Sequence, residues 1–236
     1  MAGTLLLSVQ DASLSFGGKP LFEELSFNIT EGKKICLVGK NGAGKTTLMN
    51  IITGRQAIDA GERFQLPGTT IGYLRQEVNF KPGQTVFDFV FEEVKPEEGQ
   101  TKEEAESLMS YKVDIVLSPL ELAPDDKMDR LSGGQLRRAA LARSLVEDPD
   151  ILLMDEATSA LDSETEKAIQ ENIDALKGQY TIVIIAHRLS TIMHAVWIYV
   201  LEKGSVVETG SHESLLAEKG LYYAMWRQQV GERREL

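Results

Sequence analysis

The chain has 236 residues, 42% of them apolar and 26% charged, which is enough for one large domain or two small lobes with a proper core. A net charge of −11 argues against direct binding to nucleic acid or anionic lipid, because such binding draws on clustered lysine and arginine. The longest apolar runs, Thr181 to Ala186 and Ala195 to Leu201, fall far short of a membrane span, and the N-terminus has no signal-peptide pattern, so a soluble, cytoplasmic chain is expected.

Leu5, Leu7, Val9, Leu14 and Phe16 alternate with polar residues, and Leu25 to Ile29 alternates again. With Gly17-Gly18 and Glu31-Gly32 as turns, this predicts short antiparallel strands. Phe16 stands at a strand tip, where its ring could stack on a base or fill a core gap; the pattern alone leaves both open. Ile35 to Val38 is apolar on both faces, as a buried parallel strand should be, and Cys36 within it reads as a small core residue.

Gly39-Lys40-Asn41-Gly42-Ala43-Gly44-Lys45-Thr46-Thr47 follows that strand and leads into a helix carrying Leu48, Ile51 and Ile52. It fits G-x-x-x-x-G-K-[ST] and predicts a phosphate cradle. Gly39, Gly42 and Gly44 let the backbone turn its N–H groups inward, and the helix N-terminus adds partial positive charge. Lys45 is placed to reach the β- and γ-phosphates, and Thr46 to offer its hydroxyl to Mg²⁺.

Gly54 to Gly68 reads as a polar connection. Thr70 to Leu74 reads as a strand, with Gln76 just past its end. From Pro82 the pattern turns helical, through Val86, Phe89, Val90 and Phe91, then Glu103 to Tyr111, then Val113 to Leu120, and this suggests a small helical lobe inserted into an α/β core. The acidic run Glu92, Glu93, Glu97, Glu98, Glu103, Glu104 and Glu106 reads as a solvated face and loop.

Leu131-Ser132-Gly133-Gly134-Gln135 opens the longest predicted helix, roughly Gly133 to Glu147, whose face is Leu136, Ala139, Ala140, Leu145 and Val146. Ser132 suits the N-cap. Two glycines at a helix start make either a second phosphate site or a plain capping turn. Ile151 to Met154 is another wholly apolar strand, ending in Asp155-Glu156; Asp155 suits the outer shell of the Mg²⁺, and Glu156 can polarise a water for attack on a γ-phosphate. After Ser159-Ala160-Leu161-Asp162 come a helix to Leu176, a buried strand from Thr181 to Ala186 ending at His187, a hairpin around Gly204 and two helices from Ser211 to about Val230. In the last of these, Tyr222, Tyr223 and Trp226 read as packing. The glycine loop, Gln76, Asp155 with Glu156, and His187 all follow strand C-termini, the edge at which open α/β sheets bind ligands.

In this order the motifs resemble the ATP-binding cassette (ABC) ATPases along essentially the whole chain, and Leu131 to Gln135 matches that family's signature pentapeptide. The resemblance implies ATP as substrate with Mg²⁺, Phe16 stacked on adenine, Gln76 sensing Mg²⁺ and the γ-phosphate, Glu156 as general base and His187 as the γ-phosphate switch. It also implies that Ser132 and Gly134, with Gly133 and Gln135 beside them, close on ATP held by a second copy. The active unit would be a head-to-tail homodimer with Asp162 in the subunit contact. The fold class is α/β: a P-loop NTPase core with a mostly parallel sheet, an antiparallel β-subdomain and an inserted helical subdomain. Residues 1–80 and 149–236 would form the nucleotide-binding core and 81–148 the helical part, within a single domain.

The resemblance is not uniform. From Ser13 to about Asp150 the text looks like the soluble ABC-F proteins, whereas Asp155 to Asp162 and Ala186 to Thr191 look like the nucleotide-binding domains of ABC exporters. An ABC-F protein is expected to show Pro-Thr-Asn-His-Leu-Asp after the glutamate, and an exporter Gly-Glu-Arg-Gly before the signature, where Asp125 to Arg130 stands here; neither is present. A chimera or designed domain joined near Asp150 to Glu156 would account for this. The leading expectation is an ATP hydrolase acting as the nucleotide-binding subunit of a transporter, peripheral to a membrane through a membrane-spanning partner. The alternative is an ABC-F-like factor acting at the ribosome, against which the acidic balance and the single cassette count. A DNA-repair ATPase head would need a coiled-coil insertion, and residues 82 to 130 carry no sustained heptads.

Overall fold

The alternating N-terminal text folds as a β-hairpin, strand β1 (Leu5–Phe16) and strand β2 (Lys19–Thr30), closed at Gly17-Gly18 with Phe16 opposite Lys19. The computed structural model describes residues 3–75, 77–93, 102–155, 180–186, 192–193 and 195–232. These form two compact units, one of residues 3–69, 153–155, 180–186, 192–193 and 195–232, the other of 70–75, 77–93 and 102–152.

In the first unit, β1 is the centre of a three-stranded sheet, with β2 on one side and β4 (Ala60–Gln65) on the other, both antiparallel to it. Leu7, Val9, Ala12, Phe22, Leu25, Phe27 and Ile29 are buried along it. β4 lies within the polar stretch from Gly54 to Gly68, where the sequence pattern predicts no strand. Its residues carry no apolar alternation because it is an edge strand exposed along most of its length. β2 also begins earlier than Leu25 and buries Phe22.

The second sheet explains the wholly apolar runs. Strand β3 (Lys34–Gly39) lies between two parallel neighbours, β7 (Thr181–Ile185) and β8 (Trp197–Glu202), and every residue of β3 and β7 is buried. Since successive residues point to opposite faces, both faces of these strands are covered, and neither is left to mark with polar residues. β8 turns at Lys203-Gly204 into antiparallel β9 (Ser205–Gly210), and the end of β6 (Ile151–Asp155) flanks β7 on its other side. Helix α1 (Lys45–Ile52) follows β3 and buries Leu48, Met49, Ile51 and Ile52. Cys36, in β3, is fully buried, as a small core residue should be.

The second unit is largely helical. Strand β5 (Ile71–Leu74) lies beside the start of β6, where Thr70 is held to the Asp150 carboxylate through both its N–H and its hydroxyl. Helix α2 (Val86–Phe91) opens with a capping box between Thr85 and Asp88 and buries Val86, Phe89 and Val90. Helix α3 (Lys102–Leu117) is continuous where the sequence suggested two segments. Nothing between Tyr111 and Val113 breaks a helix, and the apolar period runs through Val113 to Leu117 before Pro119 ends it. Helix α4 (Gly133–Leu145) buries Ala139, Leu141, Ala142 and Leu145, so its inner face takes in Leu141 and Ala142 rather than Leu136 and Ala140. Within the acidic run, Glu92 and Glu93 are exposed, Glu92 paired with Lys81 at 2.6 Å and Glu93 with Arg143 at 3.3 Å; Glu97 and Glu98 and the side chains of Glu103, Glu104 and Glu106 lie outside the described residues.

The chain closes in the first unit with α5 (His212–Glu218) and α6 (Leu221–Glu232). Tyr222 is buried and its hydroxyl meets His212 Nδ1 at 2.6 Å, in keeping with packing. Glu208 accepts from the N–H groups of Leu221 and Tyr222 at the start of α6. Among the described residues no helix is long and apolar enough to cross a membrane. The helix expected between Ser163 and Leu176 lies outside them.

Candidate functional site

The glycine loop runs from the end of β3 into α1, and its geometry follows from the residues that line it. Gly42 and Gly44 have φ of 82° and 95°. A Cβ at Gly44 would also sit 2.5 Å from the Phe22 ring, so both conformation and space require glycine there. Gly44 is the N-cap of α1 and contributes no side-chain hydrogen bond, which leaves the first N–H groups of the helix to be satisfied from outside. Asn41, Gly42 and Thr46 are exposed, Gly44 and Thr47 half-buried, and Gly39 and Ala43 buried.

Lys45 is buried within this loop. Its ammonium donates to the carbonyls of Gly39 at 2.7 Å and Lys40 at 3.1 Å, so the cation is held folded under the loop. Burial pulls its pKa below the ordinary lysine value, and the nearby Asp155 carboxylate opposes that shift. Thr46 donates its hydroxyl to Asp155 Oδ2 at 3.2 Å. That contact places the end of β6 at the same edge as the end of β3. Parallel pairing of Leu37 with Ile185 brings the end of β7 there as well.

Thr46 and Asp155 supply hard oxygen atoms of the kind Mg²⁺ accepts. Among the described residues no group of three or more His, Cys, Asp or Glu is gathered. Mg²⁺ keeps most of its octahedral shell for phosphate oxygens and water, so one hydroxyl and one carboxylate are donors of the kind it takes from a protein.

Phe16 is 53% exposed at the end of β1, so its ring does not fill a core gap. The N–H of Ser15, next to it, donates to Asp59 Oδ2 at 2.7 Å, which fixes the tip against the start of β4. Asp59 escaped the sequence reading because the segment around it carries no strand alternation.

In the second unit, Ser132 is the N-cap of α4, as expected. Its hydroxyl accepts from the Gln135 N–H at 3.3 Å, and Gln135 Oε1 accepts from the Ser132 N–H at 3.0 Å. Ser132 and Gly133 are exposed, and Gly134 is buried. The capping turn is thus real, and it leaves the outer face of the helix start open. From the next turn, buried Arg137 donates to the carbonyl of Arg75. Gln76, Glu156, Asp162 and His187 lie outside the described residues.

Comparison with known proteins follows the same line. The ABC transporter family model matches residues 22–159. An ATP-dependent lipid A-core flippase of Vibrio vulnificus (strain CMCP6) is 36% identical over 247 residues, covering 96% of this chain and 41% of the flippase. Heavy metal tolerance factor 1 of Caenorhabditis elegans is 33% identical over 242 residues, covering 97% of this chain and 30% of that protein. The chain therefore spans well under half the length of these relatives. Among solved structures, a bacterial Atm1-family ABC exporter with ATP bound superposes with a TM-score of 0.78 at 27% identity, over 97% of this chain and 42% of the exporter. The dimeric structure of MJ0796, a bacterial ABC transporter cassette, gives 0.74 at 26% identity, over 87% of this chain and 98% of the cassette.

Proposed function

The chain belongs to the ABC transporter family, whose ATP-binding cassettes hydrolyse ATP, and we propose on that premise that it is the nucleotide-binding part of an exporter, closing head to tail on a second copy around Mg²⁺-ATP. The observation that carries this reading is the buried Lys45 ammonium, held by the Gly39 and Lys40 carbonyls beside an uncapped helix N-terminus, with Thr46 bonded to Asp155.

In this reading the exposed Phe16 ring stacks on adenine. The loop from Gly39 to Thr47, including Asn41, Gly42, Ala43 and Gly44, turns its N–H groups to the phosphates, and Lys45 leaves its carbonyl partners for the β- and γ-phosphates. Thr46, Asp155 and Gln76 would hold Mg²⁺, which when bound neutralises charge on the β- and γ-phosphate oxygens. Glu156 accepts the proton of the attacking water, His187 contacts the γ-phosphate, and in-line displacement releases ADP and phosphate. Ser132, Gly133, Gly134 and Gln135 of a second copy close on the same phosphate, and Asp162 lies in the subunit contact. The division into a nucleotide-binding core of 1–80 and 149–236 and a helical part of 81–148 belongs to the same reading. So does attachment at the inner face of a membrane through a membrane-spanning partner; a membrane flippase and an exporter among the relatives support it.

A mixed origin, ABC-F-like before Asp150 and exporter-like after Asp155, rests only on local motif wording. The flippase matched over 96% of the chain favours an exporter cassette throughout. Ribosome pelleting separates the two: sedimentation with ribosomes would favour the ABC-F reading.

ATP hydrolysis measured against protein concentration tests the composite site. Specific activity should climb with concentration as dimers form. A constant specific activity across the range would mean that each chain works alone.

A further inference from the structure

Helix α1 is short, and its last turn contains no basic residue to balance its negative end. That charge comes from another element. Arg63, on β4, donates Nε to the carbonyl of Ile51 at 2.9 Å and Nη2 to the carbonyl of Ile52 at 2.6 Å. The same Nη2 donates to Gln65 Oε1 at 2.6 Å, and Gln65 Nε2 donates onward to the Thr69 carbonyl at 2.7 Å, so the guanidinium is aimed by a second residue of its own strand. Two adjacent carbonyls gripped by one planar fork fix the helix end in both position and rotation, which a single ammonium could not do.

Arg63 pairs with Val9 of β1, and β1 ends at Phe16. The sheet that carries Phe16 is therefore tied through Arg63 to the far end of the helix that carries Lys45 and Thr46. A helix of this length is about 12 Å long and rigid, so fixing its C-terminus also fixes the N–H groups at its N-terminus. Resting on the nucleotide-binding reading above, we propose that Arg63 is a positioning residue for ATP, setting the phosphate helix at the distance from the base-stacking tip that one nucleotide must span. Gln65 aims the guanidinium. Arg63 touches no part of the nucleotide itself and acts through α1.

Arg63→Met, Arg63→Lys and Gln65→Ala would be compared with the parent chain for Mg²⁺-ATP affinity by calorimetry, steady-state kinetics and thermal unfolding. Leu215→Val serves as a control, since Leu215 is buried in α5, away from this contact. Arg63→Met should raise the ATP Kd and KM about tenfold while kcat stays within about twofold of the parent, because misplacing the helix removes binding common to ground and transition states. Arg63→Lys and Gln65→Ala should each raise Kd about threefold, and they carry the test if Arg63→Met does not fold. Leu215→Val should lower Tm and leave Kd alone. Parent-like Kd in Arg63→Lys and Gln65→Ala, with or without a fall in Tm, overturns the proposal and leaves the nucleotide-binding reading standing. A parent chain that binds no ATP overturns both.

Discussion

Replacing Lys45 with Met keeps the length and apolar stem of the side chain and removes only the ammonium. In the structure that ammonium makes two hydrogen bonds, to the carbonyls of Gly39 and Lys40, with the residue only 7% exposed. Neutral acceptors offset only part of the cost of burying a cation, so the variant should unfold within a few degrees of the parent. Binding ATP exchanges the carbonyls for phosphate oxygens, and a hydrogen bond between charged groups contributes about 1.5–3 kcal/mol. Loss of that contact should weaken ATP binding by about 10- to 150-fold. The dependence on pH sharpens the test. The folded pKa of Lys45 lies below the ordinary 10.5, so between the two values the unfolded chain holds more protons. The stability of the nucleotide-free parent should therefore gain a contribution as pH rises through that window, while ATP affinity, which needs the cation, should fall. Lys45→Met should abolish both trends. Calorimetric titration with ATP and thermal unfolding across alkaline pH read the two quantities separately. A variant that keeps ATP affinity within about twofold and loses stability would show that Lys45 is a structural clasp under the loop and no phosphate ligand.

Glu156→Gln should leave ATP binding intact, slow hydrolysis by about 100-fold or more and shift gel filtration with ATP toward a dimer; an unchanged rate would remove Glu156 as general base. Asp155→Asn should raise the Mg²⁺ concentration for half-maximal hydrolysis about tenfold, and an unchanged Mg²⁺ requirement would break the link to Thr46. Gly204→Ala should destabilise the β8–β9 hairpin by about 3 kcal/mol or more, because Gly204 has φ of 79° and its Cβ would overlap the Leu21 carbonyl; chemical denaturation reads this directly.

The local features that lie next to one another in the chain were legible without a structure. The strand, glycine loop and helix from Ile35 to Ile52, the Ser132 N-cap and the carboxylate at the end of the Ile151–Asp155 strand are all set by short-range chemistry: apolar runs, backbone turns and capping side chains. The polar edge strand Ala60–Gln65 was not legible. An edge strand with one partner can be built from almost any residues, and its existence depends on β1 being there to receive it. The break expected inside Lys102–Leu117 failed for the opposite reason, since two apolar patches were read as two helices when one helix carries both.

By itself, then, the sequence determined which residues could cradle a phosphate and which strands had to be buried, because glycine conformation and apolar periodicity act over a few residues. The partners had to come from tertiary structure. The sequence already put Thr46 and Asp155 at one sheet edge, but the direct bond between them across 109 residues, the folding of Lys45 back onto Gly39 and Lys40, and the reach of Arg63 to the end of α1 from a strand the sequence did not announce came only with the fold. Contacts of that kind depend on where a sheet places its strands, and no local pattern encodes the distance between two strand ends.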